Sequence, residues 1–154
     1  MKKYTLNAFL FFGLMLLAGS TFAQVQFLAR QGQTPGGAGY HVNWDSTGQN
    51  LIVGCGASLW VFDFSNPALP HVVAKRPFMG LVNETSVYGN VLFAAATHDG
   101  VYALDYTSPS LDVLHHYDMK NMGDSAAQDL WRSGDTLLIA DNKKVRMLKY
   151  NPTT

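Results

Sequence analysis

Leu51 to Pro67 reads LIVGCGASLWVFDFSNP, Val91 to Pro109 reads VLFAAATHDGVYALDYTSP, and Leu137 to Pro152 reads LLIADNKKVRMLKYNP. Each is an apolar run, a short polar or Gly-containing turn and a second apolar run. A polar pair or a single polar residue then leads to Pro. The closing prolines stand 42 and 43 residues apart. A repeat of roughly 40–45 residues made of short strands points to blades of a β-propeller.

The repeat resolves into strands. The first strand of each hairpin is expected at Leu51–Cys55, Val91–Ala96 and Leu137–Asp141, and the second at Leu59–Phe64, Val101–Tyr106 and Val145–Tyr150. The links Gly56-Ala57-Ser58, Thr97-His98-Asp99-Gly100 and Asn142-Lys143-Lys144 are of hairpin length and rich in turn residues. A further strand follows each of the first two prolines, at His71–Arg76 and Leu111–Tyr117. Another precedes each hairpin, at Tyr40–Trp44, Glu84–Val87 and Gln128–Trp131. Leu59, Val61 and Asp63 share one face, and Trp60, Phe62 and Phe64 share the other. Both faces are largely apolar, as expected of a sheet sandwiched between neighbours. The expectation is all-β: about three propeller-type blades over 24–154, an incomplete set.

Val25–Arg30 matches the strand that follows each proline, with no hairpin before it. It would complete a blade whose other strands come from the far end of a chain, which is how closed propellers remove their exposed edges. Three blades fall short of the four to eight a propeller typically needs. The count points to the N-terminal portion of a longer protein. Closure by oligomerisation and an open array are the alternatives. The Gly-rich stretch Gln31–Gly39 is a connector, because no Lys-Ser/Thr pair and no helix pattern follows it.

The first 23 residues read as an address. Lys2 and Lys3 precede the apolar core Ala8–Leu17, and the small residues Thr21 and Ala23 flank Phe22 just ahead of Gln24. This is the layout of a secretory signal peptide. The apolar run is too short for a bilayer span, which needs about 20 residues. No stable membrane span is therefore expected after cleavage, and no Cys follows closely enough for a lipid anchor. Loss of 1–23 leaves nine basic against eleven acidic side chains. A chain at about −2 lacks the basic face a nucleic-acid partner requires. Glu84 is the only Glu, and Asp favours turns over helix surfaces.

Chemistry is sparse. Cys55, the single cysteine, ends a strand and reads as a small buried residue. His115 and His116 are adjacent on a strand and point to opposite faces, so they do not grip one metal. His98 sits in a hairpin turn that could reach a channel mouth, while His41 and His71 are isolated. Asn83-Glu84-Thr85 fits a glycosylation sequon without further support. No residue is assigned as catalytic, cofactor-binding or metal-ligating, and no cofactor is implied. The aromatics, Trp44, Trp60 and Trp131 among them, are expected mostly to pack between blades.

Leu59-Trp60-Val61-Phe62-Asp63 followed by Ser65-Asn66-Pro67 resembles the LVIVD repeat of secreted bacterial propeller proteins. Val101-Tyr102-Ala103-Leu104-Asp105 with Thr107-Ser108-Pro109 is similar. Val145–Lys149 with Asn151-Pro152 is a degenerate copy, in which Lys149 stands where the motif has Asp. Asp63 and Asp105 end their strands before a turn, where a carboxylate accepts backbone N–H bonds. The resemblance implies an extracellular or cell-surface protein, with a periplasmic location the other possibility. The function expected is a binding module without catalytic activity, taking a protein or glycan on a propeller face. The alternative is a fragment of a secreted lactonase- or quinoprotein-like enzyme whose site lies in other blades. The exported protein is expected to begin at Gln24. N-terminal sequencing of secreted material checks this, and a mature species beginning at Met1 would contradict it.

Overall fold

The computed structural model describes residues 37–45, 47–119 and 125–151. These fall in the unit Thr34–Thr154. The expected leader 1–23 and the expected strand Val25–Arg30 lie outside the described residues. Every regular element among the described residues is a strand, and the strands form three antiparallel sheets in simple chain order. Sheet 1 is β1 (Gly39–Trp44), β2 (Asn50–Cys55), β3 (Ser58–Asp63) and β4 (His71–Pro77). Sheet 2 is β5 (Glu84–Tyr88), β6 (Val91–Ala95), β7 (Val101–Asp105) and β8 (Val113–Tyr117). Sheet 3 has three described strands, β9 (Asp129–Ser133), β10 (Thr136–Ala140) and β11 (Val145–Lys149).

The sheets stack face to face. Ile52, Leu59, Val61 and Ala74 of sheet 1 pack on Leu92, Ala94 and Leu104 of sheet 2. The other face of sheet 2, with Phe93, Ala95, Val101 and Ala103, packs on Leu130, Leu137 and Ile139 of sheet 3. Successive side chains on a strand face opposite ways. Sheet 2 therefore needs apolar residues at consecutive positions, and Leu92 to Ala95 are all buried. Among the described residues sheets 1 and 3 have one partner each, and these residues leave one face of each open. This corrects the expectation for two of the three tryptophans: Trp44 and Trp131 lie on those open faces, 49% and 61% exposed.

Turn chemistry follows the sequence. Asp63 Oδ1 accepts the backbone N–H of Ser65 at 2.7 Å, and Asp105 Oδ1 accepts that of Thr107 at 2.8 Å. Both are the Asx turns expected at the ends of the motif strands. Gly100 closes the β6–β7 hairpin at φ 104°, and a Cβ there would lie 2.1 Å from the carbonyl oxygen of Tyr117, so no other residue fits. Sheets 1 and 2 carry the same irregularity, a register shift between Val61 and Phe62 and another between Ala103 and Leu104. Such bulges sharpen the local twist.

Leu111 departs from its expected place in a strand. It adopts φ 50° in the turn before β8, and its side chain is buried under sheet 1. Its carbonyl accepts Arg76 Nη1 at 3.0 Å, and Pro109 O accepts the N–H of Lys75 at 3.2 Å. This turn thus pins the outer strand β4 to sheet 2. Leu111→Ala is expected to cost about 2–5 kcal/mol, the range for emptying a buried leucine site. Denaturant unfolding of the variant checks this, and a loss below about 1 kcal/mol would show that the turn plugs nothing.

Candidate functional site

The first strands of successive sheets lie side by side, β1 by β5 and β5 by β9. They bring together polar groups that are far apart in the chain. His41 Nε2 lies 2.9 Å from Thr85 Oγ1 and 3.2 Å from Glu84 Oε1. Asn43 Nδ2 donates to Thr85 O at 3.1 Å. Asn83 Nδ2 donates to Gln128 Oε1 at 3.1 Å, and Gln128 Nε2 donates to Asn142 Oδ1 at 2.8 Å. Burial pushes the His41 imidazole below its ordinary pKa, against the opposing pull of Asp129. Burial also pushes the Glu84 carboxyl up. The Thr85 N–H partly reverses that, and Asp129 adds to it. Each shift favours the uncharged form of its group.

A concavity lies elsewhere, between the β5–β6 and β9–β10 turns. A cleft of about 430 Å³ is floored by Val91, Phe93, Leu137 and Tyr150 and walled by Tyr88 and Arg132. The Arg132 guanidinium sits 3.6 Å from the Tyr88 ring centroid, a cation–π contact that holds both at the rim. Tyr88 is 55% exposed. Asp135 adds a carboxylate on the same rim.

The corresponding position between sheets 1 and 2 is tied shut. The Tyr106 hydroxyl donates to Asp45 Oδ2 at 3.3 Å, in the β1–β2 turn. Asp45 also accepts from Thr47 Oγ1 and from the backbone N–H groups of Gln49 and Asn50 through Oδ1, and from Asn50 Nδ2 through Oδ2. Burial alone would raise its pKa, but these donors outweigh burial and hold it below the usual carboxylate range. In the next interface Tyr150 takes the place of Tyr106. The turn facing it is Gly89-Asn90, with no carboxylate. The Tyr150 ring stands edge-on to Phe93 at 5.0 Å, and the cleft stays open beside it.

The histidines are dispersed. His98 Nδ1 lies 3.2 Å from Ser125 O. His115 meets Tyr150 edge-on at 5.6 Å, and His116 stacks on Tyr102 at 4.0 Å with Nε2 2.6 Å from Asp99 O, so the pair points to opposite faces as read from the sequence. His71 is exposed, 3.9 Å from Asp63. Cys55 is buried at the end of β2. Among the described residues no cluster of three or more His, Cys, Asp or Glu is placed to hold a metal. The sequence reading missed both the His41–Glu84 pair and the cleft. The residues meet only through sheet stacking, and no local spacing announces them.

No protein-family model and no curated protein matches the chain. Solved structures do. Sqt1 from Chaetomium thermophilum is similar over 70% of this chain and 30% of its own, at 13% identity and TM-score 0.59. BamB from Moraxella catarrhalis is similar over 73% and 34%, at 13% identity and TM-score 0.58. The β-propeller domain of Cps50 (Swd1) from Myceliophteria thermophila is similar over 72% and 38%, at 19% identity and TM-score 0.57. The three sheets are β-propeller blades. At these identities the likeness is one of fold, and the chain spans about a third of the length of each of these structures.

Blades 1 and 2 are thus latched through Asp45. Asp45→Ala is expected to cost about 1–3 kcal/mol, since several hydrogen bonds to a charged group are lost together, while Tyr106→Phe costs about 0.5–1.5 kcal/mol. Because the folded pKa of Asp45 is depressed, its contribution is complete above the ordinary Asp pKa. It is lost as pH falls from there toward the folded value. Asp45→Asn should accordingly flatten the acid limb of a stability–pH profile. An unchanged limb would overturn the assignment.

Proposed function

We propose that this chain is part of a secreted or cell-surface propeller-repeat protein of the LVIVD type that works as a binding module. Its occupant is a peptide segment of a partner protein, held in the cleft between blades 2 and 3. The observation that carries this reading is the cleft itself: an apolar floor, an exposed Tyr88 and a stacked Arg132. Tyr and Arg over a concave apolar floor are the side chains that dominate binding energy in protein interfaces. Sqt1, of similar fold, has been solved bound to the N-terminus of the ribosomal protein L10. That supports a peptide as the kind of ligand a propeller can take. Export rests on the leader-like layout of residues 1–23.

The alternative is a portion of a secreted lactonase- or quinoprotein-like enzyme whose site lies in other blades. His41 is hydrogen-bonded to Thr85 and lies 3.2 Å from the Glu84 carboxyl across blades 1 and 2, which suits a joint between blades better than an attacking group.

The test is selection of peptides from a random library on the exported protein, followed by affinity measurement. Tyr88→Ala and Arg132→Ala are each expected to weaken the selected peptides by roughly tenfold or more, as loss of a hot-spot side chain does, with an unchanged melting temperature. Glu84→Gln should leave peptide affinity intact. Binders indifferent to both rim substitutions would remove the cleft from the reading, and selective retention of oligosaccharides instead would replace the peptide with a glycan.

A further inference from the structure

The joint between blades 1 and 2 and the joint between blades 2 and 3 follow one plan and differ at two equivalent positions. Pairing to the second strand of each blade sets Asp45 of blade 1 level with Tyr88 of blade 2. It also sets Val87 of blade 2 level with Arg132 of blade 3. At the first joint blade 1 supplies the Asp45 carboxylate, which accepts from the Tyr106 hydroxyl, and blade 2 packs Val87 against the core. At the second joint Tyr88 stands in place of the carboxylate and Arg132 in place of Val87. The second joint thus lacks the anion of the first and holds a cation where the first holds an apolar side chain. The space between these side chains is the cleft of about 430 Å³, and both of its walls lie in blades 2 and 3.

The charge around the cleft is uneven. Arg132 stacks on Tyr88, and its Nη1 donates to Gly134 O, which uses one of the five donors of the guanidinium fork. Asp135 places a carboxylate on the rim, but Lys149 lies 3.6 Å from it and the Thr136 hydroxyl donates to it at 3.1 Å. Arg132 and Lys149 together outweigh Asp135. Beneath them the floor of Val91, Phe93 and Leu137 is apolar. An Arg fork held against an aromatic ring is preorganised to take a carboxylate, and Arg is the side chain whose geometry matches that group.

We propose that the occupant of the cleft is an acidic peptide segment, one Asp or Glu side chain of which enters between blades 2 and 3 and bonds Arg132. This rests on the reading of the cleft as a peptide site and names the chemistry of the peptide. The ligand carboxylate supplies at the second joint what Asp45 supplies at the first. Apolar neighbours in the segment cover the floor, and Tyr150, at the place of Tyr106, bounds the site. The internal counterpart is a side chain carried by a continuous loop, Asp45 in the β1–β2 turn, so the ligand group is likewise a side chain and not a chain end.

Peptides selected on the exported protein are expected to share one Asp or Glu beside an apolar residue. Replacing that acid by Asn or Gln in synthetic peptides should weaken binding roughly ten- to a hundredfold, the range for hydrogen bonds to a charged group. Affinity for the acidic peptide should fall as salt is raised. On Arg132→Gln the acidic peptide and its amide analogue should bind alike, and Arg132→Glu should prefer a Lys analogue. Tyr88→Asp, which returns a carboxylate to the joint, should bind the acidic peptide more weakly than Tyr88→Asn does. The amide analogues require no change to the protein, so that readout does not depend on a variant folding. Peptides that need Tyr88 and Arg132 but tolerate loss of the acid would overturn the acidic occupant and leave the peptide site standing. Peptides that lose affinity when their C-terminus is amidated, with every internal acid dispensable, would do the same. Peptides indifferent to Tyr88→Ala and Arg132→Ala, or no peptide retained at all, would overturn both.

Discussion

A β-sheet that is apolar on both faces cannot stand alone in water. Everything else here depends on that constraint. Sheet 2 is the clearest case: Leu92 and Ala94 face one neighbour while Phe93 and Ala95 face the other, and all four are buried. The stability of each blade is therefore held in contacts with the next one, and nearest-neighbour terms dominate over anything intrinsic to a single meander. The same constraint decides where polar groups go. They are displaced to the strand ends and the inner strands, where His41, Asn43, Asn83 and Gln128 bond across from blade to blade. Polar side chains at these places cost little, because each finds a partner on the neighbouring sheet.

The fold was legible in the sequence to within a residue or two at most strand ends, because the repeat and the turn residues report on the same thing. Asp63 and Asp105 announced their turns, and the paired apolar faces announced stacking. Leu111 was misread as the start of a strand. An apolar residue next to a strand looks like part of it, and nothing local shows that a neighbouring blade claims the side chain. The tryptophans were misread for a related reason. Trp44 and Trp131 have the sequence context of packed residues and lack only the partner.

The site was far less legible. Tyr88 and Arg132 are separated by more than forty residues and meet because equivalent turns of adjacent blades stack. The cleft they wall exists because one turn has Gly89-Asn90 where another has a buried Asp45. Repeats conceal such differences: an alignment of the units shows what they share, whereas binding surfaces arise where one copy drops a feature the others keep.

The two blade interfaces are closed in different ways. Blades 1 and 2 are joined by the plugged Leu111, by Arg76 on its carbonyl and by the Asp45–Tyr106 hydrogen bond. Blades 2 and 3 share an apolar core but leave a wide gap beside Tyr150. Blade 3 is held to blade 2 by that core, by the Ala127 N–H on Thr97 O and by the Tyr88–Arg132 contact. The two joints therefore carry similar apolar contacts and differ at the rim, where one is filled by a carboxylate and the other leaves side chains accessible to solvent.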